Sequence, residues 1–172
     1  QISSFFSHQK IDANLSDSSS INSLKTDGFH RTDAELAKRK NAEREMYGGN
    51  IKWKEKKWSI GFTGVYYKYN HLLTPNSQPY NIFRTRNRAD NYNASVDYKI
   101  KIRNVQFCGE YAKSADGGFA MVNHARIHAN SRMSFSLVQR HYTPEYNADF
   151  SNAFGENSRN QNGKKYFEFY DD

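Results

Sequence analysis

Few residues of this chain have the type and spacing that chemistry requires. Cys108 is the single cysteine, which excludes an internal disulfide and a cysteine-based zinc site. A catalytic thiol would need a histidine partner, and no histidine lies at a spacing that supports one. His124 and His128 share one face of a predicted strand, but at ~13 Å they are too far apart to hold one metal ion. We therefore predict no metal ligands and no cofactor.

Two carboxylates are candidates for acid–base chemistry. Asp97 and Glu110 both occupy polar positions of strand-like segments, but the sequence leaves their separation open. Basic residues follow at Lys99, Lys101 and Arg103, which favours structural ion pairs over catalysis. No serine lies in a G-x-S-x-G string. We predict no catalytic residues and a protein that is not an enzyme.

A basic row occupies alternate positions at Arg84, Arg86 and Arg88. Such a row can contact an anion, either a lipopolysaccharide phosphate or a polyanionic substrate, and the alternative is a solvated loop. Basic charge with interleaved aromatic rings also occurs in proteins that bind single-stranded nucleic acid. Here the aromatic residues follow a regular apolar face, which suits contact with lipid or a core better. Nucleic acid is therefore not a predicted partner.

The composition restricts the elements that can position these residues. The 172 residues carry a net charge of +7, and 12 Tyr, 12 Phe and 2 Trp make the chain 15% aromatic. Leu, Ile and Val together number twenty, too few for the core of a compact helical bundle or a doubly wound α/β enzyme. No apolar run approaches the ~20 residues that a membrane helix needs. The composition favours a β-rich chain with an aromatic apolar surface and a polar interior.

The clearest strand pattern lies between Asn91 and Arg103, where apolar and polar residues alternate strictly. A second pattern of this kind begins at Val105. The predicted lipid-facing residues are Tyr92, Ala94, Val96, Tyr98, Ile100 and Phe107. The predicted polar residues, which would face a water-filled lumen, are Asn93, Ser95, Asp97, Lys99 and Glu110.

The connections alternate in length, as they do in transmembrane β-barrels. Tight turns are predicted at residues 54–57, 103–104 and 129–132, and long outer loops at 71–90 and 143–163. A further long loop, 16–47, contains a predicted helix over about 34–46, because Thr32 and Glu35 form a capping box. The predicted fold is an all-β antiparallel up-and-down meander of about seven or eight strands, part of a transmembrane β-barrel with one short helix.

Several aromatic residues lie near predicted strand ends. In a membrane barrel they would form a girdle at the water–lipid boundary, and in a soluble sheet they would pack across strands. The polarity of the opposite faces favours the girdle. Its predicted members are Trp53, Trp58, Tyr66, Tyr67, Tyr69, Tyr92 and Tyr142.

Three strings carry a family resemblance: residues 58–69, 91–98 and 152–161. They resemble outer-membrane β-barrel proteins of Bacteroidetes-type bacteria, in particular the barrel region of large proteins labelled helix-hairpin-helix or ComEA-like. The DNA-binding motif behind that label is not found in this sequence, so its function does not carry over. Strand-like patterns at both ends of the chain indicate a fragment of a longer protein.

The resemblance implies a location in the bacterial outer membrane and a passive, porin- or transporter-like role in passage or anchoring. The implied partners are outer-membrane lipid, lipopolysaccharide and the rest of the same barrel, and the cargo stays open. The alternative is a soluble, secreted β-sheet module that binds glycans or acts in adhesion, with residues 84–88 in recognition.

Overall fold

The computed structural model describes residues 1–16, 20–25, 28–74, 88–143 and 145–148, together with the backbone of 166–171. These residues form ten strands and one helical turn. The elements are β1 (Ile2–Ile11), β2 (Ala13–Ser16), β3 (Ser20–Leu24), α1 (Asp33–Leu36), β4 (Ala42–Lys54), β5 (Trp58–Leu73), β6 (Arg88–Ile102), β7 (Val105–Ser114), β8 (Phe119–His128), β9 (Ser134–Tyr142) and β10 (Tyr166–Asp171).

The sheet is an antiparallel meander in the order β1-β4-β5-β6-β7-β8-β9-β10. Eight strands lie on this path, and the described residues form ten in all, more than the predicted seven or eight. The hairpin β2–β3 lies off the path, and β3 joins β5 through a short parallel pairing at Ser20 and Ile21. In the described part of the chain the sheet is open, with β1 and β10 as its edges.

The predicted helix over 34–46 is wrong beyond its first turn. Thr32 Oγ1 accepts a hydrogen bond from the Glu35 amide, as the capping box requires, but α1 ends at Leu36. Strand β4 begins at Ala42, whose side chain is fully buried. Sheet pairing and burial outweigh a helix propensity that differs by only tenths of a kcal/mol per residue, roughly 0–0.7. The predicted loop 16–47 therefore contains β3 and the start of β4.

The strands form where side chains alternate in polarity, and they are long. In β5, with 16 residues, the positions from Ser59 to Leu73 on one parity are mostly buried, whereas their neighbours are mostly exposed. This period of two is the mark of a sheet with one covered face. Among the described residues, no helix has the length and apolarity that crossing a membrane requires.

The chain divides into two compact units. Unit 1 comprises Gln1–Ser4, Gly49–Gly64 and Asn93–Asp172, and unit 2 comprises Phe5–Gly48 and Val65–Tyr92. Each unit has its own small cluster of buried side chains. The cluster of unit 2 consists of Ala13, Ile21, Ala42, Tyr67, Tyr69 and Leu73. The cluster of unit 1 consists of Ala120, Tyr142, Tyr146 and Ala148.

Asp12, between β1 and β2, is hydrogen-bonded to two residues of the segment 28–41, which we call the loop of unit 2. Its carboxylate accepts a hydrogen bond from the Lys40 amide and lies 2.7 Å from His30 Nε2. The pKa of Asp12 is lowered, first by the Lys40 amide and then by His30, because both favour the ionised carboxylate. Lys40 itself has a φ of +51°, a left-handed conformation that aims its amide at Asp12.

Candidate functional site

The strands β6 to β9 of unit 1 have two faces of opposite character. Ile100 lies opposite Phe107, Phe107 opposite Ala125, and Ala125 opposite Leu137. Directly paired residues project to the same side of a sheet, so these four side chains form one apolar row. The next row toward the turns contains Ile102, Val105, Ile127 and Phe135. We call the face that carries both rows the apolar face.

Large side chains on the apolar face are exposed. Ile100, Phe107, Ile127 and Leu137 have exposed fractions of 39% to 45%. All six residues predicted to face lipid belong to this face by strand parity or register, including Phe107, which pairs with Ile100. The structure brings these residues together on one side, and the contact with lipid itself stays a prediction.

Exposed apolar side chains also lie on β4 and β5 of unit 1. Ile51, Trp53 and Phe62 are all more than half exposed, and Trp58 is 42% exposed. The ring centroids of Trp53 and Trp58 lie 6.2 Å apart across the tight turn between the two strands. Exposed apolar side chains therefore extend from β4 to β9.

The apolar face also contains a short polar ladder. Tyr98 Oη donates to Asn123 Oδ1 at 3.0 Å, and Asn123 Nδ2 donates to Gln139 Oε1 at 3.4 Å. Gly109 lies between Tyr98 and Asn123 in the register, and a Cβ there would collide with the Asn123 amide. The glycine leaves the space in which the three polar groups satisfy one another.

The opposite side, which we call the polar face, holds the five residues predicted to face a lumen. The register pairs Asp97 with Glu110, and Lys99 with Cys108. Asp97 Oδ2 lies 2.8 Å from Lys52 Nζ, so a lysine from β4 forms the ion pair. A Cβ on Gly61 would collide with the Asp97 carboxylate, which therefore needs a glycine at that position.

The structure places a histidine beside the single cysteine, contrary to the sequence-based expectation. Cys108 pairs with His124 in the register, and Cys108 Sγ lies 3.6 Å from His124 Nδ1. The turn at residues 115–118 is enough to predict that Cys108 and His124 lie side by side, because an antiparallel hairpin pairs residues equidistant from its turn. Within the described residues no carboxylate is hydrogen-bonded to the His124 ring, so the third member of a catalytic triad is missing.

A cavity of about 520 Å³ opens on the polar face of unit 1. One part is charged, with the Lys52–Asp97 pair and Glu110, and another part is formed by Tyr142 and Tyr146. Its size falls within the range of about 300–1,000 Å³ that small-molecule sites occupy. Among the described residues, no three His, Cys, Asp or Glu side chains are arranged to hold a metal ion.

Residues 145–148, which we call the return segment, lie against the polar face. The backbone N–H of Asn147 donates a hydrogen bond to Ser114 Oγ at 3.4 Å. The backbone carbonyl of Asn147 accepts a hydrogen bond from Asn93 Nδ2 at 2.8 Å. Gly118 permits this approach, because a Cβ there would collide with the backbone of Tyr146. The remainder of the predicted loop 143–163, apart from Thr143, lies outside the described residues.

The predicted aromatic girdle is wrong for three of its members. Tyr67, Tyr69 and Tyr142 are buried, with exposed fractions of 0%, 1% and 8%, because they have the parity of the polar face. The exposed members are Trp53, Trp58, Tyr66 and Tyr92.

The predicted anion contact falls mostly outside the described residues. Arg84 and Arg86 belong to 75–87, a range that is not described. Arg88 begins β6, and its Nε lies 3.6 Å from Asp90 Oδ1.

A scan against protein-family models finds no match to this chain, and a search of curated proteins finds no significant relative.

Proposed function

We propose that this chain is a segment of an outer-membrane β-barrel, with its apolar face toward lipid and its polar face toward a water-filled lumen. The observation that carries the proposal is the inverted polarity of the sheet in unit 1. Large aromatic and aliphatic side chains are exposed on one side, while Asp97, Lys52 and Asn93 are half-buried on the other. A soluble β-sheet places these two classes of residue the other way round.

The apolar face would have a lower free energy in contact with lipid than in water. Soluble monomers rarely expose an apolar patch larger than a few hundred Å², since each Å² costs ~25 cal/mol in water. Trp53, Phe62, Ile102 and Phe107 are exposed in a single unit. Lipid removes this cost without any rearrangement of the sheet.

The strand lengths fit a bilayer. Strands β6 to β9 have 15, 10, 10 and 9 residues. A tilted transmembrane strand needs about 9–11 residues. Strands β7 to β9 fall in this range and β6 exceeds it, so all four are long enough to cross the hydrocarbon layer, which supports the proposal.

The open edges fit the same proposal. Lipid offers no hydrogen-bond partners for the backbone, so a spanning sheet must close. The edges β1 and β10 would pair with each other or with further strands of the same barrel. Passage through the lumen would be passive, with Lys52, Asp97 and Glu110 setting the charge that a solute meets.

A soluble glycan-binding module is the second candidate, and two observations favour it. The cavity on the polar face combines the tyrosines Tyr142 and Tyr146 with charged side chains, as sites for polar small molecules do. The polar ladder on the apolar face also tolerates water better than lipid.

Two adjacent substitutions distinguish the candidates. Val96 lies near the middle of β6 on the apolar face, and Ser95 lies beside it on the polar face, near Asp97. An arginine facing lipid at mid-depth costs about 2–4 kcal/mol, whereas Ser95→Arg gains a nearby carboxylate. We expect Val96→Arg to abolish most of the folded, heat-modifiable form in outer-membrane fractions, and Ser95→Arg to retain it. Equal recovery of both variants, or a soluble monomer that melts cooperatively, would refute the barrel.

A further inference from the structure

Three tight turns of unit 1 carry a strong excess of basic over acidic side chains. They are residues 55–57, between β4 and β5, residues 103–104, between β6 and β7, and residues 129–133, between β8 and β9. Together with the last residues of β4 and β6, they contain six basic side chains and one acidic one, Glu55. The basic residues are Lys54, Lys56, Lys57, Lys101, Arg103 and Arg132. The resulting charge of +5 accounts for most of the net +7 of the chain.

These turns lie at one end of the sheet, which we call the turn end. The Lys101 amide donates to the Lys57 carbonyl at 2.7 Å, and the His128 amide donates to the Asn104 carbonyl at 2.9 Å. Each bond joins one turn to the neighbouring hairpin. Strands lie about 4.8 Å apart, so adjacent charges fall within about one Debye length of each other at physiological salt, and their potentials add.

The basic side chains of the turn end are available to a ligand. All six residues are exposed. In the described part of the chain, none of the six forms an ion pair with a carboxylate. Glu55 accepts a hydrogen bond from Trp53 Nε1 at 3.4 Å, which orients its carboxylate toward the indole.

Exposed apolar side chains adjoin this charge. Trp53 and Ile102 are 65% and 57% exposed. Trp58 begins β5, and Met133 directly precedes β9. Tryptophan is enriched at the water–lipid boundary, and lysine and arginine extend their charges from that boundary into the headgroup layer. A row of cations directly beside exposed tryptophans is what a negatively charged lipid surface would bind.

We propose that the turn end binds the phosphate groups of anionic phospholipids in the leaflet that it enters. This inference rests on the proposed barrel and adds a lipid class to it. A nucleic acid is the less suitable ligand, because the exposed aromatic and aliphatic residues continue from the turn end across the whole apolar face instead of forming a local stacking platform.

The two tryptophans of the chain, Trp53 and Trp58, both lie at the turn end and report on it directly. The chain is reconstituted in phosphatidylcholine vesicles that contain either brominated phosphatidylglycerol or brominated phosphatidylcholine at the same mole fraction. We expect brominated phosphatidylglycerol to quench tryptophan fluorescence several-fold more effectively. High salt should remove this preference, because it screens exposed charges.

The triple variant Lys54→Gln, Lys56→Gln, Lys57→Gln should remove most of the several-fold quenching preference for brominated phosphatidylglycerol, since each basic residue near a charged surface strengthens its attraction to anionic lipid. The matched control removes three exposed basic residues outside the strands, as Arg31→Gln, Arg39→Gln, Lys40→Gln, and should retain the preference. Heat-modifiable mobility verifies that both variants are folded.

The outcomes separate the two proposals. Equal quenching by the two brominated lipids would overturn the lipid preference while leaving the barrel intact. An absence of quenching by either lipid would overturn both. Loss of the phosphatidylglycerol effect on adding a single-stranded oligonucleotide would assign the turn end to nucleic acid and overturn the inference.

Discussion

The two halves of β5 show how one strand can border an open cavity in one unit and a filled core in the other. In unit 1, the side chains on its covered parity are small: Ser59, Gly61 and Thr63. In unit 2, the same parity carries Tyr67 and Tyr69, which are fully buried. The strand is continuous through both halves, but only the half in unit 2 carries large side chains on this parity and packs against Ala13 and Ile21 from β2 and β3.

Each half contains a different kind of polar side-chain pair. In unit 1, the space above Gly61 holds the carboxylate of Asp97, which pairs with Lys52 at the cavity. In unit 2, Asn91 Nδ2 donates to Tyr67 Oη at 2.8 Å, and both side chains are buried. A charged pair suits the half of β5 at the open cavity. A neutral hydrogen bond suits the half in the filled core, where a charge would be costly to desolvate.

The largest expected effect tests the filled half. Tyr67→Ala removes a buried ring and leaves the Asn91 amide without its partner. We expect a loss of about 3–5 kcal/mol in the free energy of unfolding, measured by denaturant titration of the refolded chain. The control Ser59→Ala, on the same parity in unit 1, should cost less than ~1 kcal/mol. Similar losses for both variants would remove the distinction between the two halves.

An intermediate effect tests the return segment of unit 1. Gly118→Ala places a Cβ against the backbone of Tyr146, so residues 145–148 must leave the polar face. We expect a loss of about 1–3 kcal/mol and faster hydrogen exchange at the Asn147 amide. Gly64→Ala is the control, because a Cβ there meets open space. Unchanged exchange at Asn147 in Gly118→Ala would show that the segment does not depend on this contact.

The smallest effect concerns the loop of unit 2. The lowered pKa of Asp12 means that ionisation of this carboxylate stabilises the folded loop. That stabilisation is fully present above the unfolded-state pKa of about 3.9 and is lost as the pH falls through the lower folded-state pKa. An NMR titration should show the Lys40 amide shifting with Asp12 below pH ~4. In Asp12→Asn the Lys40 shift should be flat, and a persisting titration would assign it to another group.

Much of the architecture could be predicted because strands repeat with a period of two. The residues predicted for each face of β6 do share a face, and the turn at Arg103–Asn104 is where the sequence placed it. That turn also pairs residues at equal distances from it, so the proximity of Asp97 and Glu110 was already determined by the chain.

Other features depend on contacts that no local pattern records. Residues 42–46 have a helix-compatible sequence, yet they form a strand because β4 has neighbouring strands on both sides. The position of the return segment depends on Gly118, which lies 27 residues before Glu145 in the chain. The three buried tyrosines were assigned to the girdle from their closeness to strand ends, although parity placed them on the covered face.

The length of the turn at Arg103–Asn104 determines which face of the sheet each residue of β7 occupies. It consists of two residues, and Arg103 accepts a φ of +50° there. One inserted residue would shift β7 by one position against β6 and exchange its two faces, so that Glu110 would lie beside Ile100 and Val96. Length changes in this turn are therefore restricted by parity, because a single-residue insertion would move every side chain of β7 to the opposite face of the sheet.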